Sequence, residues 1–313
     1  MAGAAPRITV LLGLCDAGDD LAEQLQSYLD QGLKPARILA SDDGSGDATR
    51  DRFAAFAAGP AAAAGVACTL LDGPRRGGTA NFLSLLARAD PESDYTALSD
   101  QDDIWLPGKL SRAVDMLAPH AARPALLGTR SWEWQAATGR RRLSRLVPAP
   151  HDFRHALTQN FAGGNTMVLN RAGLALVQRA LPRVRAAAVH DWWLYQLVSG
   201  AGGTVLWDAQ PHILYRQHGR NQIGANRGLG SKLRRLRAML RGTYKGWNDL
   251  NLAALQANAD LLNAEARAVL DRFARDRGGP LPVRLAMLRD TRLYRKGRIN
   301  QATLWLAAVL GKL

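Results

Sequence analysis

The chain has 313 residues, 47% of them apolar and 22% charged, a balance that suits one sizeable core, or one core with a smaller appendage, and excludes wholesale disorder. Only two cysteines occur, Cys15 and Cys68, too few for a disulfide scaffold; both lie in apolar, strand-like surroundings and are expected as buried, reduced thiols of a cytosolic protein. The formal net charge of +14 is concentrated in Arg140–Arg145, Lys232–Arg241 and Arg284–Lys296; it fits attraction to anionic lipid or a lipid-diphosphate acceptor, or plain solvated arginine faces, and no zinc-knuckle or RNA-recognition signature points to nucleic acid.

Along the first half, two periodicities alternate. Ile8–Leu14, Arg37–Ser41, Val66–Leu71 and Tyr95–Ser99 read as strands. Between them Asp20–Gln31, Asp47–Ala58 and Gly78–Ala89 repeat apolar residues at helical spacing, as in Leu21, Leu25, Tyr28 and Leu29. Such alternation predicts an α/β fold with a parallel sheet covered by helices. The section from about Ala125 to Val205 mixes short strands and helices, with Trp132 and Trp134 on one face of a strand at Thr129–Gln135. Beyond about Arg227 the pattern turns helical, over Leu229–Gly242, Trp247–Arg277 and Val283–Leu313, broken at Gly278-Gly279-Pro280. The expected organisation is a catalytic domain over residues 1–226 and a helical C-terminal extension over 227–313. The apolar runs Ile8–Leu14 and Thr303–Leu310 are too short to span a bilayer, and no secretory signal is visible. A cytoplasmic protein is expected, with a peripheral place on the inner face of the membrane as the way it would meet lipid.

In open sheets of this kind ligands bind beyond the carboxyl ends of the strands. The polar clusters fall there: Asp16 after the first strand, Asp42-Asp43-Gly44 after the second, Pro74-Arg75-Arg76-Gly77 after the third, and Asp100-Gln101-Asp102-Asp103 after the fourth. Carboxylates crowded at one strand end repel each other unless a cation neutralises them. A hard ion, Mn²⁺ or Mg²⁺, does so while keeping places for diphosphate oxygens. Alternation puts Asp100 and Asp102 on the same side of an extended segment, so that one holds a ribose hydroxyl while the other binds the metal.

The string Leu98-Ser99-Asp100-Gln101-Asp102-Asp103-Ile104-Trp105-Leu106-Pro107-Gly108-Lys109-Leu110 resembles the D-x-D region of family 2 inverting glycosyltransferases, and most closely their bacterial rhamnosyltransferase-like branch. Further matches extend over about residues 7 to 225: Val10-Leu11-Leu12 with Glu23-Gln24-Leu25, Ser41-Asp42-Asp43-Gly44-Ser45-Gly46-Asp47, Asn81-Phe82, and Gly163-Gly164-Asn165-Thr166-Met167. The resemblance implies a GT-A-type, mostly parallel sheet flanked by helices. It implies a nucleotide-sugar donor with UDP or dTDP, a divalent metal, and a hydroxyl of a cell-surface polysaccharide or lipid-linked glycan as acceptor. Asp42 or Asp43, with Asp43 favoured, would accept the N3–H of uracil or thymine; Arg76, Asn81 and Asp100 join them as donor-binding residues. The same Asp-Asp-Gly-Ser string is also a good helix-capping turn, with Ser45 and Asp47 as caps. Asp102 is assigned to the metal and Asp103 to a supporting role. The chain departs from the family at the end of the first strand, where Leu14-Cys15-Asp16-Ala17 replaces a Thr-Tyr-Asn-Gly string and the aromatic that flanks the base is missing.

Displacement at an anomeric carbon needs a base for the acceptor hydroxyl and positive charge on the leaving diphosphate. Asp191 in His190-Asp191-Trp192-Trp193-Leu194 opens an amphipathic helix and matches the position of a family acidic residue about ninety positions after the D-x-D, so it is the expected base, with helix capping as its bland role. His190 ranks below it. The string Tyr215-Arg216-Gln217-His218-Gly219-Arg220-Asn221 is similar to one that closes the catalytic domain in the family, which makes His218 a second metal or diphosphate ligand and Arg216 and Arg220 leaving-group cations. His151 and His155 have the i, i+4 spacing of helix-borne metal ligands but no third partner, and are expected as surface histidines. Trp192 and Trp193, beside the expected base, are assigned to an aromatic platform on the acceptor side.

Two other readings stay open on sequence alone. A sugar nucleotidyltransferase would carry a glycine-rich loop with a basic residue after its first strand, which Leu14-Cys15-Asp16 does not supply. A catalytically inactive nucleotide-sugar-binding or scaffold protein would share every motif but turn nothing over.

Overall fold

The computed structural model describes residues 5–217 and 242–313. The expected boundary at residues 226 and 227 lies outside them, as do His218, Arg220 and the basic run Lys232–Arg241. The chain opens with β1 (Ile8–Leu14), α1 (Asp20–Leu29), β2 (Arg37–Asp42), α2 (Thr49–Phe56), β3 (Ala67–Asp72), α3 (Gly78–Arg88) and β4 (Tyr95–Ser99). The middle section holds β5 (Ile104–Trp105), α4 (Lys109–Leu117), β6 (Ala125–Gln135), β7 (Arg140–Leu143), α5 (Phe153–Ala156), β8 (Val168–Asn170), α6 (Arg171–Ala180), α7 (His190–Gly200) and β9 (Thr204–Arg216). Four helices complete the described chain: α8 (Thr243–Gln256), α9 (Ala264–Asp276), α10 (Leu281–Thr291) and α11 (Arg298–Val309). Pro280 starts α10 after the expected Gly-Gly-Pro break.

The described strands form a nine-stranded sheet in the order β3-β2-β1-β4-β8-β6-β9-β5, with β7 paired to β6. The β3-β2-β1-β4 portion is parallel, β8 runs antiparallel to both β4 and β6, and β9 returns parallel to β6. The order reverses at β1, whose neighbours are β2 on one side and β4 on the other. A crevice opens at such a switch point beyond the strands' carboxyl ends, and Cys15-Asp16 and Asp100 stand at its two lips.

Both faces of the sheet are covered, as strands buried on both sides require. Ile8, Val10, Leu12 and Leu14 face one core with Leu21, Leu25 and Tyr28 of α1. Leu11, Leu39 and Leu98 face the other, which takes in Phe82, Leu85 and Leu86 of α3 and Trp193, Leu194 and Leu197 of α7. That second core continues without a break into Leu252, Leu255, Leu270, Phe273, Met287, Leu288 and Leu304. The described C-terminal helices therefore share the core that holds α7. All eleven residues of α7 are buried, which makes it an interior element, not the amphipathic surface helix that its opening residues suggest. No helix among the described residues is long and apolar enough to cross a membrane.

Three sequence expectations are corrected here. Cys15 is exposed, because it follows the last residue of β1 and belongs to the loop, not the strand. His155 is fully buried, with Nδ1 2.9 Å from the Tyr195 hydroxyl, and His151 is half-buried with Nε2 3.1 Å from the Val147 carbonyl. One ring nitrogen of each finds inside the fold a polar partner that a surface histidine finds in water. Burial holds His155 down at about 3 and His151 at about 4.

A histidine buried neutral must gain its proton on unfolding, so it contributes stability above the free imidazole pKa that is lost as pH falls. The buried carboxylates described below, raised by burial, act in the opposite sense, so the test is a difference. Between about pH 6.5 and about pH 5, His155→Gln should lose about 1–2 kcal/mol less unfolding free energy than the wild type. Equal losses in denaturant titrations would show that His155 is not held neutral.

Candidate active site

The acidic loop is built by internal compensation. After β4, Asp103 turns inward and is fully buried. It accepts a hydrogen bond from Asn165 Nδ2 at 2.6 Å and another from the Arg216 backbone N–H at 3.1 Å. Burial and the carboxylates of Asp100 and Asp102 push its pKa up, against these two bonds. Lys109, the last conspicuous residue of the acidic motif, is also buried. Its amine lies 4.6 Å from the centre of the Trp105 ring and 3.5 Å from the Thr166 carbonyl. Burial lowers Lys109 to about 7, while Asp103 favours its charged form. The sequence motif thus places its own counter-charge beneath the loop.

Asp100 and Asp102 are half-buried. Burial, then Asp102, then Asp191, push Asp100 up to about 7. A divalent cation would relieve this repulsion. Among the described residues no group of three or more histidine, cysteine or acidic side chains is arranged to hold a metal. Asp100 and Asp102 still fit one in chemical type, because Mg²⁺-like ions are commonly held by one or two carboxylates plus substrate phosphates. His218, the expected further ligand, lies outside the described residues.

Two side chains fix this loop: Gln101, for which no role was expected, and Arg216, which was expected at the leaving group. Gln101 clasps the backbone of Cys15: its Oε1 accepts from the Cys15 N–H at 2.7 Å and its Nε2 donates to the Cys15 carbonyl at 2.8 Å. The two lips of the crevice are thereby joined. Arg216 donates from Nε to the Asp102 carbonyl at 2.8 Å, pairs with Glu23, reaches Asp20 at 3.3 Å, and lies 4.6 Å over the Trp134 ring. Its guanidinium is 9% exposed. The expectation that Arg216 neutralises a leaving group is corrected: its charge is directed at α1 and the back of the loop.

On the nucleotide side, Asp42 is 4% exposed and accepts from the Ser45 hydroxyl and, at 3.2 Å, from Arg50. It is a strut of the turn. Asp43 is half-buried and accepts from the Gly77 N–H at 2.7 Å and the Arg76 N–H at 3.4 Å. The loops after β2 and β3 are tied through it. Asp16, at a φ of 46°, accepts from the Gly46 N–H at 2.8 Å. The Arg76 side chain is exposed at this lip. Asn81, expected at the donor, is 2% exposed, and its Nδ2 donates to the Ser41 carbonyl at 2.8 Å, fastening α3 to the end of β2. Partial desolvation, then the carboxylates of Asp16, Asp43, Asp42 and Asp47, hold the Cys15 thiol above its ordinary pKa; this environment disfavours a thiolate nucleophile.

Across the crevice, Asp191 stands in the first turn of α7 and is 8% exposed. Its Oδ2 accepts the Gly164 N–H at 3.0 Å and its Oδ1 accepts the Trp192 N–H. Burial raises it to about 6 in spite of these bonds. His190 packs flat on Phe82, ring centres 4.2 Å apart, and burial drops it to about 3. A side chain at Gly164 would bring its Cβ to 2.4 Å from the His190 ring, so this glycine is what lets the loop close over the helix terminus. Trp192 and Trp193, expected on the acceptor side, pack inside: Trp193 has no exposed surface, and Trp192 is 7% exposed with its indole N–H donated to the Ala156 carbonyl at 2.6 Å. Consecutive positions near the start of a wholly buried helix leave neither ring a face for ligand. Trp132 and Trp134 are half-buried.

An α/β sheet whose switch-point crevice is lined by acidic strand-end loops, with a buried carboxylate opposite, defines a GT-A-like transferase scaffold. Residues 9–175, more than half of the chain, match glycosyl transferase family 2, and the chain belongs to that family: it is a glycosyltransferase. It is 29% identical over 222 residues to the dTDP-rhamnosyl transferase RfbG of Shigella flexneri, covering 69% of this chain and 74% of that protein. Among solved structures it is similar in fold to S. aureus TarS 1–349 in complex with UDP-GlcNAc, at TM-score 0.51 and 12% identity over 91% of this chain and 89% of that one. The UDP complex of TarS 1–349 gives TM-score 0.51 and 13% identity over 98% and 80%.

Truncating Arg216 removes its links to Asp102, Asp20 and Glu23 together. Because Asp20 and Glu23 stay solvated when the arginine is lost, Arg216→Met is expected to cost about 1–2 kcal/mol of folding stability, mostly from the buried bond to the Asp102 carbonyl, read by chemical denaturation. An unchanged midpoint would remove Arg216 from the support of the acidic loop.

Proposed function

We propose that this glycosyltransferase moves a sugar, with rhamnose the nearest label, from a UDP- or dTDP-activated donor to a hydroxyl of a glycan acceptor, with inversion at the anomeric carbon. The observation that carries this is the convergence of Asp100 and Asp102 from β4 with Asp191 from α7, close enough that Asp191 acts electrostatically on Asp100. The similarity to a dTDP-rhamnosyl transferase favours dTDP and rhamnose among the alternatives. The acceptor in this reading is lipid-linked, and the enzyme meets it at the cytosolic face of the membrane.

In the proposed mechanism Asp43 accepts the N3–H of uracil or thymine, the Arg76 side chain adds charge at the same lip, and Asp100 orients the donor. Asp102, with Asp100 beside it, would hold Mn²⁺ or Mg²⁺, which neutralises charge on the donor diphosphate. Asp191 accepts the proton of the acceptor hydroxyl while its oxygen bonds to the anomeric carbon. The bond from that carbon to the diphosphate oxygen breaks on the opposite face, and the electron pair leaves with the nucleoside diphosphate. A base with a pKa of about 6 is ionised at neutral pH yet close enough to it to take the proton efficiently.

Nucleotide release with Mn²⁺ should fall by at least about 10²-fold in Asp102→Ala and by about 10²–10⁴-fold in Asp191→Asn. Undiminished turnover in the first would sink the metal assignment, and in the second the base. Because Asp191 works ionised, wild-type kcat/KM should fall below about pH 6, and Asp100, held at about 7, adds a fall that begins nearer neutrality. A profile still level at pH 5 would exclude a base held in this way. The donor is identified by a thermal-shift panel of nucleotide sugars with Mn²⁺, in which the productive one stabilises the fold.

A further inference from the structure

The last helix carries a surface that the catalytic fold does not use. On α11, Ile299, Ala302, Trp305, Leu306, Val309 and Leu310 are exposed, at spacings of three and four that align them on one face. Leu304, Ala307 and Ala308, on the opposite face, are buried in the shared core. Ile299 is 70% exposed and Trp305 37%. A single exposed apolar residue is ordinary, whereas an unbroken stripe of them marks a surface that meets something. Arg284 donates to the Ala308 carbonyl at 2.6 Å and to the Val309 carbonyl at 3.0 Å. These bonds bring the start of α10 alongside, where Leu281 and Val283 extend the apolar surface.

The charge around this face indicates the kind of partner. Residues 277–313 contain eight arginines and lysines and one acid, Asp290. Asp290 already lies 3.0 Å from Arg289 and 3.5 Å from Arg272. No acid occurs in α11 itself. Arg298 is exposed at its start, and Arg284 and Lys312 stand at its end. An apolar stripe bordered by one sign of charge, with a tryptophan on it, matches the interfacial zone of an anionic bilayer. The apolar side chains enter the acyl boundary, the indole sits at headgroup depth, and the cations meet lipid phosphates.

We propose that the exposed face of α11 docks this protein on an anionic lipid bilayer. The proposal deepens the reading of a lipid-linked acceptor, and it rests on that reading for its purpose. Leu304 and Ala308 share one core with Trp193 and Leu194 of α7, the helix that carries Asp191. Docking through α11 therefore sets the acceptor side of the crevice at a fixed height over the lipid.

The test is co-sedimentation of the full chain with vesicles of phosphatidylcholine and phosphatidylglycerol, against vesicles of phosphatidylcholine alone. Wild type should pellet with the anionic vesicles at least ~10-fold more strongly than with neutral ones, and be released by salt. The double variant Ile299→Ser/Leu306→Ser should bind the anionic vesicles at least ~10-fold more weakly while keeping its fold by circular dichroism, since Ile299 is 70% and Leu306 42% exposed. No pelleting of wild type, or equal pelleting of the variant, overturns the proposal. A wild-type dimer in light scattering that the double variant converts to monomer, with neither binding vesicles, overturns it in favour of a second copy of the chain. Nucleotide release by the same samples in solution is scored separately, so lost turnover bears on the transferase reading and lost pelleting on this one.

Discussion

The structure depends on how one strand end tolerates its own negative charge. Three aspartates follow β4 within four residues, a concentration that would be unfavourable in a dry fold without compensation. Compensation is supplied unevenly. Asp103 goes inside, between Asn165 and the Arg216 N–H, with the Lys109 ammonium as its electrostatic partner. Asp100 stays at the crevice, where burial and two neighbouring carboxylates resist its ionisation. The fold therefore anchors one carboxylate to hold the loop and keeps another in a state that a bound cation would relieve.

That division explains the rest of the support. A loop carrying repelling charges needs fixed anchors, and it has them on three sides. Gln101 ties it to the end of β1 through Cys15, Arg216 ties it to α1 and the end of β9, and Asn165 ties it to the turn before β8. Arg216 could not serve a leaving group without abandoning two acids and a carbonyl, which is why its place in a polar string is a poor guide to its role. At the ends of β2 and β3 the same division holds. Asp42 is spent on its own turn, while Asp43 joins the β2 loop to the helix terminus after β3.

The parts legible in the sequence are those with a local cause. The four parallel strands and the three helices between them follow from periodicity, and the observed elements differ from the expected ones by a residue or two at most ends, with α2 giving way to a π-helical turn at Ala57–Ala61. The crevice follows from where the polar clusters fall. What was not legible depends on contacts distant in sequence. Gln101 meets Cys15 across 86 positions and Arg216 meets Glu23 across 193. Nothing near Trp193 shows that the core around α7 continues into the C-terminal helices, so an aromatic beside an acid reads as a binding surface when it is a core residue. His155 misleads in the same way, since its partner Tyr195 arrives from another helix.

The extent of that C-terminal packing changes what the extension is for. A detachable appendage would leave Asp191 to be positioned by the sheet alone. Here α7 is buried along its whole length, with Leu194 and Leu197 in the same apolar cluster as Leu255, Phe273 and Leu304. Its first turn, which presents Asp191 to the crevice, is therefore held from both directions. The Gly164 N–H fixes the carboxylate from the sheet side, and the C-terminal core fixes the helix axis behind it. Burial on this scale also raises the pKa of Asp191. The helices beyond residue 242 thus act on the position of that carboxylate through the helix that carries it.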